Sequence, residues 1–323
     1  MPLLDQLLSN DYALIAAGLL LLALGAEVLV HGAVALALRI RVSPLLIGVT
    51  IVAWGTSTPE LLVSVNASMS GNYGIAVGNV VGSNIFNILF ILGVASLITP
   101  IAVTTRSIGR DGLFALAAAG LFTWISMRTD VMGFDEGILF LAVLLAMVVF
   151  SYGQESSGRS GEAAAETTAP EHSVVIDILL IATGLGLLVI GADMLVHSSV
   201  SLARDFGISE TVIGLSLVAA GTSLPELATS VVAAIRSKAD IAVGNITGSN
   251  IYNVLGILGV AALIGPVKID AAIAGVDTWV MIAATLALFP PLVLGGRIGR
   301  LYGLLLLAGY IAYVAFLFSK MGG

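Results

Sequence analysis

Cysteine is absent from the 323-residue chain, and charged residues make up only 10% of it. The first absence excludes disulfides, thiolate metal sites and cysteine nucleophiles, and it leaves the redox compartment undetermined. The scarcity of charge, with a hydrophobic content of 58% and a mean hydropathy of +1.08, lies outside the range of soluble domains. The formal charge of −7 favours neither nucleic acid nor an anionic lipid surface as a partner. The composition therefore predicts an integral membrane protein.

Long apolar segments divide the chain into ten candidate membrane spans, because about 20 residues of helix are needed to cross roughly 30 Å of hydrocarbon. The spans lie at 12–38, 44–70, 74–98, 111–127, 137–152, 174–201, 210–235, 241–264, 274–294 and 301–319. No basic region precedes the first span and no small-residue cleavage site follows it, so we expect a retained helix and not a signal peptide. The predicted fold class is all-α and integral to the membrane, with ten transmembrane helices.

Lysine and arginine fall unequally on the two sides of such an arrangement. If successive gaps between the spans lie alternately on the two sides of the membrane, nine lysines and arginines lie on one side and four on the other. Under the positive-inside rule, the side with more of them faces the cytoplasm. We therefore predict a multi-pass protein of the cell membrane with both termini outside and the polar segment between the fifth and sixth spans in the cytoplasm.

Two sequence motifs occur twice, at an offset of 166 residues. The shorter reads "GTSTPEL" from Gly55 and "GTSLPEL" from Gly221. The longer reads "GNVVGSNIFNILFILG" from Gly78 and "GNITGSNIYNVLGILG" from Gly244. The same offset aligns about 65 positions without a gap, so the chain contains an internal repeat.

Each copy of the repeat holds five predicted spans, and an odd number reverses the direction in which the second copy enters the membrane. Many secondary transporters place a binding site at the interface of such inverted repeats. We predict a first five-helix repeat at 1–152 and a second at 174–323. The segment at 153–173 is rich in Ser, Gly, Ala and Glu and has too little apolar content to fold alone, so we expect a cytoplasmic linker and no regulatory domain.

The shorter motif places a glutamate directly after a proline near the middle of a span, as Glu60 in the first copy and Glu226 in the second. Proline removes a helix hydrogen bond and frees the carbonyl four residues earlier. An ionised carboxylate at this depth costs about 2.5 kcal/mol or more. A cation that joins the two glutamates is the interpretation that we favour, and a protonated glutamate bonded to a neighbouring helix is the alternative.

Hydroxyl and amide groups recur at helical spacing around these glutamates. Thr56 lies four residues before Glu60, and in the longer motif Asn79, Ser83 and Asn87 recur at every fourth position. The second copy repeats both patterns. Every candidate donor is a hard oxygen, which suits Ca²⁺ and alkali ions and disfavours zinc or copper. Polar stripes that only hold neighbouring helices together are the alternative interpretation.

A second acidic pair, Glu27 and Asp193, is also duplicated, and each member lies four residues before a histidine. No proline accompanies this pair. Local pairing with His31 and His197 is the simpler interpretation, and a role in gating or ion access is the alternative. Neither acid belongs to the predicted site.

The four motif copies resemble the paired α-repeats of the sodium/calcium exchanger family, within the cation/calcium antiporter superfamily, in its prokaryotic form without a regulatory domain. That resemblance implies ten helices in two inverted halves. The second, third, seventh and eighth helices would surround the ions, and the first and sixth would slide during alternating access. It implies no cofactor, since Na⁺ and Ca²⁺ are the transported substrates. The metal ligands that it implies are Ala53, Thr56, Ser57, Glu60, Ser83, Asn87, Ala219, Thr222, Ser223, Glu226, Ser249 and Asn253.

The resemblance also assigns roles within this set. The glutamates would be shared by Ca²⁺ and Na⁺, the threonines would give backbone oxygens to calcium, and the alanine carbonyls with Ser83 and Ser249 would complete flanking sodium sites. Ser57 and Ser223 would line the cavity, and the two asparagines would close its middle. Several relatives carry an aspartate where this chain has Asn253, so the central site here has one fewer ionisable group.

We therefore expect a secondary antiporter, not an enzyme, that exchanges Na⁺ for Ca²⁺ by alternating access, is electrogenic and is independent of K⁺. No ATP-binding motif accompanies the spans, so an ion gradient must drive transport. A Ca²⁺/H⁺ exchanger is the nearest alternative, because glutamates can also carry protons. An intramembrane enzyme or a cation channel is disfavoured, since a duplicated site in inverted halves fits transport better. The expected partners are Na⁺, Ca²⁺ and membrane lipid, and we expect a monomer.

Overall fold

The computed structural model describes residues 10–71, 73–157, 173–206, 219–271 and 273–321. Almost all of this chain is helical, and its short strands are two residues long. Leu, Ala, Val and Ile dominate the helices, and helical backbone pairs its own polar groups, as a segment in hydrocarbon must. The all-α prediction is confirmed for the described chain.

Six of the helices precede the linker. They are α1 (Asp11–Ile40), α2 (Pro44–Thr56), α3 (Thr58–Met69), α4 (Tyr73–Phe86, continuing through Asn87–Ile91 and Leu92–Ile98), α5 (Thr105–Arg110 with Asp111–Ser126) and α6 (Phe134–Ser157). Two short strands follow α4 and α5, namely β1 (Ile101–Ala102) and β2 (Val131–Met132).

Five further helices follow the linker. They are α7 (Val174–Asp205), α8 (Leu224–Ile235, preceded by the short turn Ala219–Gly221), α9 (Ala239–Ile251, Tyr252–Ile257 and Leu258–Ile264), α10 (Ile273–Asp277, Thr278–Leu286 and Pro290–Val293) and α11 (Arg300–Met321). Two short strands lie between them, β3 (Val267–Lys268) and β4 (Arg297–Ile298).

Nine of the predicted spans have a counterpart in these helices. Eight described helices are long and apolar enough to cross a membrane, and the bent pair α2 and α3 adds a ninth. The predicted span at 210–235 lies partly outside the described residues, and its described part contains α8, an apolar helix of 12 residues. The count of ten therefore stays a prediction.

The fifth predicted span ends earlier than the helix that corresponds to it, and the linker itself stays a prediction. Helix α6 continues to Ser157, beyond the predicted end at 152, because Gln and Glu are good helix formers and no proline stops the helix. Residues 158–172 of the predicted linker lie outside the described residues.

The second predicted span is broken at Ser57, where α2 and α3 meet at an angle of 46°. Pro59 occupies the first turn of α3, where its missing N–H costs nothing, so the helix restarts there instead of continuing. The second repeat has the same arrangement, with Ser223 before α8 and Pro225 in its first turn. Both predicted proline breaks are present.

The central helices also contain wider, π-helical turns. These turns cover Gly48–Val52 in α2, Asn87–Ile91 in α4 and Tyr252–Ile257 in α9. A π-helical turn shifts the backbone hydrogen bonds by one residue and is frequent at functional sites. The two copies of the longer motif thus change helix type within one residue of the same place, at the last asparagine of each motif.

Helices α1 and α7 pack against each other in opposite directions along a row of glycines. A Cβ atom added at Gly25 would lie 2.9 Å from the carbonyl oxygen of Gly184, and one at Gly18 would lie 2.8 Å from that of Gly191. Such contacts bring the two backbones together, as small residues do between membrane helices. At one end of the pair, Arg39 Nε donates to buried Asp177 Oδ2 at 2.5 Å. The two helices therefore form one closely packed unit.

The short strands pair between distant parts of the chain. Ile101 of β1 lies opposite Ile298 of β4, and Met132 of β2 lies opposite Val267 of β3. The offset of 166 residues converts the first pair into the second. The strand pairing thus follows the offset found in the sequence, and α1 and α7, which the same offset relates, run antiparallel. The two inverted five-helix halves stay a prediction.

The duplicated acids outside the motifs have different partners. Asp193 Oδ1 lies 3.1 Å from His197 Nδ1, as the local-pairing interpretation predicts. Glu27 instead pairs with Arg236 at the end of α8, with Glu27 Oε1 2.8 Å from Arg236 Nη2. Both pairs are partly exposed, so they contribute little to stability.

We predict that Gly184→Ala destabilises the protein by about 1–3 kcal/mol, the range for overpacking a tight contact. The new Cβ would lie 2.6 Å from the backbone nitrogen of Leu29, and backbone cannot move aside as a flexible side chain can. The midpoint of thermal unfolding in detergent measures the change. Gly186→Ala is the matched control, because a Cβ there would meet no described atom within 4 Å. Equal midpoints for the two variants would contradict close packing of α1 on α7.

Candidate ion-binding site

The four motif copies, far apart in the sequence, meet at one buried place. Ser57 lies at the break between α2 and α3, and Ser223 lies directly before α8. From α4, Ser83 Oγ approaches Ser223 Oγ to 3.2 Å. From α9, Ser249 Oγ donates to Glu226 Oε1 at 3.4 Å. Two helix breaks and two helix centres therefore surround the site.

The two glutamates are at its centre, and neither side chain has any solvent exposure. Ser223 Oγ donates to Glu60 Oε1 at 2.8 Å, and Ser57 Oγ donates to Glu226 Oε1 at 3.0 Å. Each carboxylate is thus bonded by a hydroxyl from the opposite copy of the repeat. The sequence placed these four residues in the site, but spacing within one helix could not show that the bonds cross between copies.

The two threonines of the shorter motif differ in their contacts. Thr56 Oγ1 donates to Asn245 Oδ1 at 3.0 Å and lies 3.3 Å from the carbonyl oxygen of Ala53. Thr222 Oγ1 is buried and has no partner among the described residues. The two copies therefore differ locally, although their sequences are the same at these positions.

The predicted alanine carbonyls also differ between copies. The carbonyl oxygen of Ala53 accepts the backbone N–H of Ser57 at 3.0 Å, so in this structure it is bonded within its own chain segment. In the second copy the N–H of Ser223 bonds to Ala220 at 3.2 Å. Ala219 is the first residue of the short turn before α8, and the structure describes only its backbone.

Two asparagines, Asn79 and Asn245, bond to the main chain of the glutamates. Asn79 Nδ2 donates to the carbonyl oxygen of Glu60 at 3.3 Å and to Ser64 Oγ at 3.0 Å. In the second copy, Asn245 makes the same two bonds, to Glu226 and Ser230, at the same distances. These bonds occupy the main chain next to each carboxylate and help to fix its position. The duplicated stripe signalled Asn79 in the sequence, but its partner on the neighbouring helix could not be read from spacing.

The last asparagines of the longer motif, Asn87 and Asn253, are fully buried. Their amide nitrogens donate to two further asparagines, Asn250 and Asn84 respectively, each at 3.0 Å. The predicted site did not include Asn84 and Asn250. The signal was present, because these two residues are themselves 166 positions apart.

Several buried oxygen atoms at the site lack a hydrogen-bond partner among the described residues. They are Glu60 Oε2, Glu226 Oε2, Asn87 Oδ1, Asn253 Oδ1 and Thr222 Oγ1. Leaving one such atom unpaired costs about 1–3 kcal/mol, and more when the group is charged. Within the described chain, the ion pairs that include Arg39, Arg110, His197 and Arg236 involve neither glutamate. Cations are the partners that such unbonded oxygen atoms, two of them from carboxylates, can accept.

The donor set indicates which cations fit. The described residues contain no cluster of three or more His, Cys, Asp or Glu side chains that could hold a metal ion. Two carboxylates with amide and hydroxyl oxygens form a hard, oxygen-only environment, which suits Ca²⁺ or alkali ions and not transition metals. A buried oxygen site between two copies of a helical repeat is the arrangement of a membrane transporter.

Comparison with known proteins identifies the class more closely. A family model described as "Sodium/calcium exchanger protein" matches residues 11–153 and 176–319. A putative antiporter named CaxA from Alkalimonas amylolytica is 42% identical over 94% of this chain and 97% of its own. A sodium/calcium exchanger named MaX1 from Methanosarcina acetivorans is 33% identical over 97% of this chain and 99% of its own.

Solved structures agree with this result. A structure of the sodium-calcium exchanger NCX_Mj, soaked with Na⁺ and Sr²⁺, matches with a TM-score of 0.82 and 33% identity, covering 94% of this chain and 97% of that one. The chain belongs to the sodium/calcium exchanger family. Its relatives are transporters and not enzymes, so the expectation that this protein is not an enzyme is confirmed.

Proposed function

We propose that the protein is a secondary antiporter that exchanges Na⁺ for Ca²⁺ by alternating access. The observation that carries the proposal is the pair Glu60 and Glu226, fully buried, without a cationic side chain among their described partners, and each with a second oxygen left unbonded. The relatives named as sodium/calcium exchangers support the same pair of ions. The twelve residues predicted as ligands are those that we propose to bind the ions.

The proposed architecture has ten spans in two inverted halves in the cell membrane, with both termini outside and lipid around a single chain. The close packing of α1 on α7 supports movement of these two helices as one unit past the site. Gly55 and Gly221 lie beside that unit, since a Cβ at either would come within 2.5 Å of Leu185 or Val196 of α7. We propose that this unit moves to open the site to one side of the membrane or the other.

Charge balance determines whether the exchange is electrogenic. With both glutamates ionised the site holds a charge of −2, so one Ca²⁺ neutralises it. Three Na⁺, the stoichiometry that we propose, would leave a charge of +1 at the same two carboxylates. One net positive charge would then cross the membrane in each cycle.

The test is calcium uptake by the purified protein in liposomes. We expect uptake to require an outward sodium gradient at fixed pH, and a potential imposed with valinomycin to change its rate, because the proposed cycle moves net charge. Uptake driven by a pH gradient without sodium would instead show a Ca²⁺/H⁺ exchanger. Sodium-driven uptake that does not respond to the potential would contradict the proposed stoichiometry and indicate two sodium ions.

We predict that Glu60→Gln or Glu226→Gln abolishes sodium-driven calcium uptake while the protein still folds. Glutamine keeps the shape of the side chain but removes one of two ligand charges. Glu136→Gln is the matched control, because Glu136 accepts the N–H of Gly133 at 2.8 Å at the start of α6, outside the site. Wild-type uptake in either site variant, with correct insertion, would contradict the proposed site.

We further predict that exchange does not require potassium. Two cations held a few ångströms apart repel each other strongly, so binding K⁺ beside Ca²⁺ demands an additional negative charge. Asn87 and Asn253 are neutral, and Ca²⁺ alone balances the two glutamates. Replacing potassium with choline on both sides should leave the uptake rate unchanged, with Asn253→Asp measured in parallel. A wild-type protein that is inactive until potassium returns would contradict the charge argument.

A further inference from the structure

Four asparagine side chains meet where α4 contacts α9. They are Asn84 and Asn87 from α4 and Asn250 and Asn253 from α9, and none is more than 2% exposed. The offset of 166 residues converts Asn84 into Asn250 and Asn87 into Asn253. The four amides are hydrogen-bonded to one another and to the two main chains, and only some of them contribute oxygen atoms to the proposed ion site.

Main-chain carbonyls determine the orientation of the first two amides. Asn84 Nδ2 donates to the carbonyl oxygen of Asn250 at 3.0 Å, and Asn250 Nδ2 donates to that of Asn84 at 3.1 Å. The nitrogen and oxygen of an amide are usually told apart only by their neighbours. A carbonyl oxygen accepts and never donates, so each amide must turn its nitrogen toward it. The orientation of both side chains is therefore unambiguous.

The orientation of Asn84 and Asn250 determines that of the other two amides, Asn253 and Asn87. Because Asn84 turns its nitrogen to the main chain, its Oδ1 faces Asn253 and accepts the Nδ2 of that residue at 3.0 Å. In the same way, Asn250 Oδ1 accepts the Nδ2 of Asn87 at 3.0 Å. The nitrogens of Asn87 and Asn253 are thus occupied, and their Oδ1 atoms are left buried without a described partner.

We infer that Asn84 and Asn250 are positioning residues that hold the carbonyl oxygens of Asn253 and Asn87 free to coordinate the transported ion. The inference rests on the proposed function. Without the acceptor on Asn84, the amide of Asn253 could turn over and direct its NH₂ group to a cation, which that group repels. The bonds cross between helices, so each helix orients the ligand that the other carries.

The same geometry explains why an amide suits position 253. Asn84 Oδ1 is an acceptor and needs a donor opposite it. An ionised aspartate at position 253 would place oxygen against oxygen in a buried place, where water is not available to separate them. Asn84 therefore favours a neutral, proton-bearing group at position 253, in addition to orienting it.

The test is a set of double-mutant cycles read as calcium dissociation constants from calorimetry on the full-length protein. We expect Asn84→Leu to raise the dissociation constant about tenfold, the scale of one lost polar interaction. In an Asn253→Ala background it should add less than about twofold, because the ligand that it orients is already missing. In an Asn87→Ala background it should still add about tenfold. Asn250→Leu should show the reverse pattern, coupling to Asn87 and not to Asn253.

This crossed pattern separates positioning from packing, because a structural defect would weaken binding equally in both backgrounds. Thr285→Val is the matched control, since its buried hydroxyl donates only to Met281 of its own helix at 2.8 Å, and binding should not change. Asn84→Ala replaces Asn84→Leu if the larger residue prevents folding. Equal effects in both backgrounds would overturn the inference alone. Absence of calcium binding by the wild-type protein would overturn the proposed function, and with it the inference.

Discussion

Two carboxylates that no described basic side chain neutralises are the constraint on which the rest of this structure depends. Glu60 and Glu226 are fully buried in a chain that is 58% hydrophobic, where each unpaired charge is costly. The proline breaks place them, the serines of the opposite copy bond one oxygen of each, and the asparagines behind them hold the adjacent main chain. Two further oxygens of these carboxylates remain without a hydrogen-bond partner among the described residues. A bound cation lowers the energy of such an environment, because it balances the buried charge.

The contacts follow an approximate two-fold symmetry, and one of its exceptions is explained by a single residue. The symmetry relates Glu27 to Asp193 and Arg236 to Ser70. Glu27 therefore finds an arginine at the end of α8, whereas Asp193 would meet a serine at the equivalent place and pairs with His197 of its own helix instead. The serine–glutamate bonds are the same in both copies, but the identical threonines Thr56 and Thr222 differ in their contacts. A difference in sequence thus explains the first exception, and the threonines show that identical residues can also adopt different contacts in the two copies.

Most of the correct predictions came from patterns within single segments of the sequence. Apolar length located nine of the spans, proline located the breaks, and the offset of 166 residues located the repeat. Contacts between the two copies could not be predicted in this way, because the spacing of residues within one helix does not indicate which residues of another helix they contact. Asn84 and Asn250 were missed for this reason. The duplication could have indicated them, since residues near a two-fold axis meet their own equivalents, but duplication alone does not tell which repeated residues lie near the axis.

Competition for a limited charge is sufficient to couple the two ions in the proposed cycle. The unbonded oxygens of Glu60 and Glu226 are the charged ligands available to either ion, and they amount to two negative charges. Calcium and a full set of sodium ions together would leave several positive charges unbalanced in a buried site, where their repulsion is strong. In the proposed cycle, binding of one ion would therefore exclude the other. An empty site is also unfavourable, because the carboxylates then face each other without a cation. A protein that changes easily between its two open forms only when the site is filled would exchange one ion for the other. The serine bonds connect each glutamate to the opposite repeat, so both repeats contact both carboxylates.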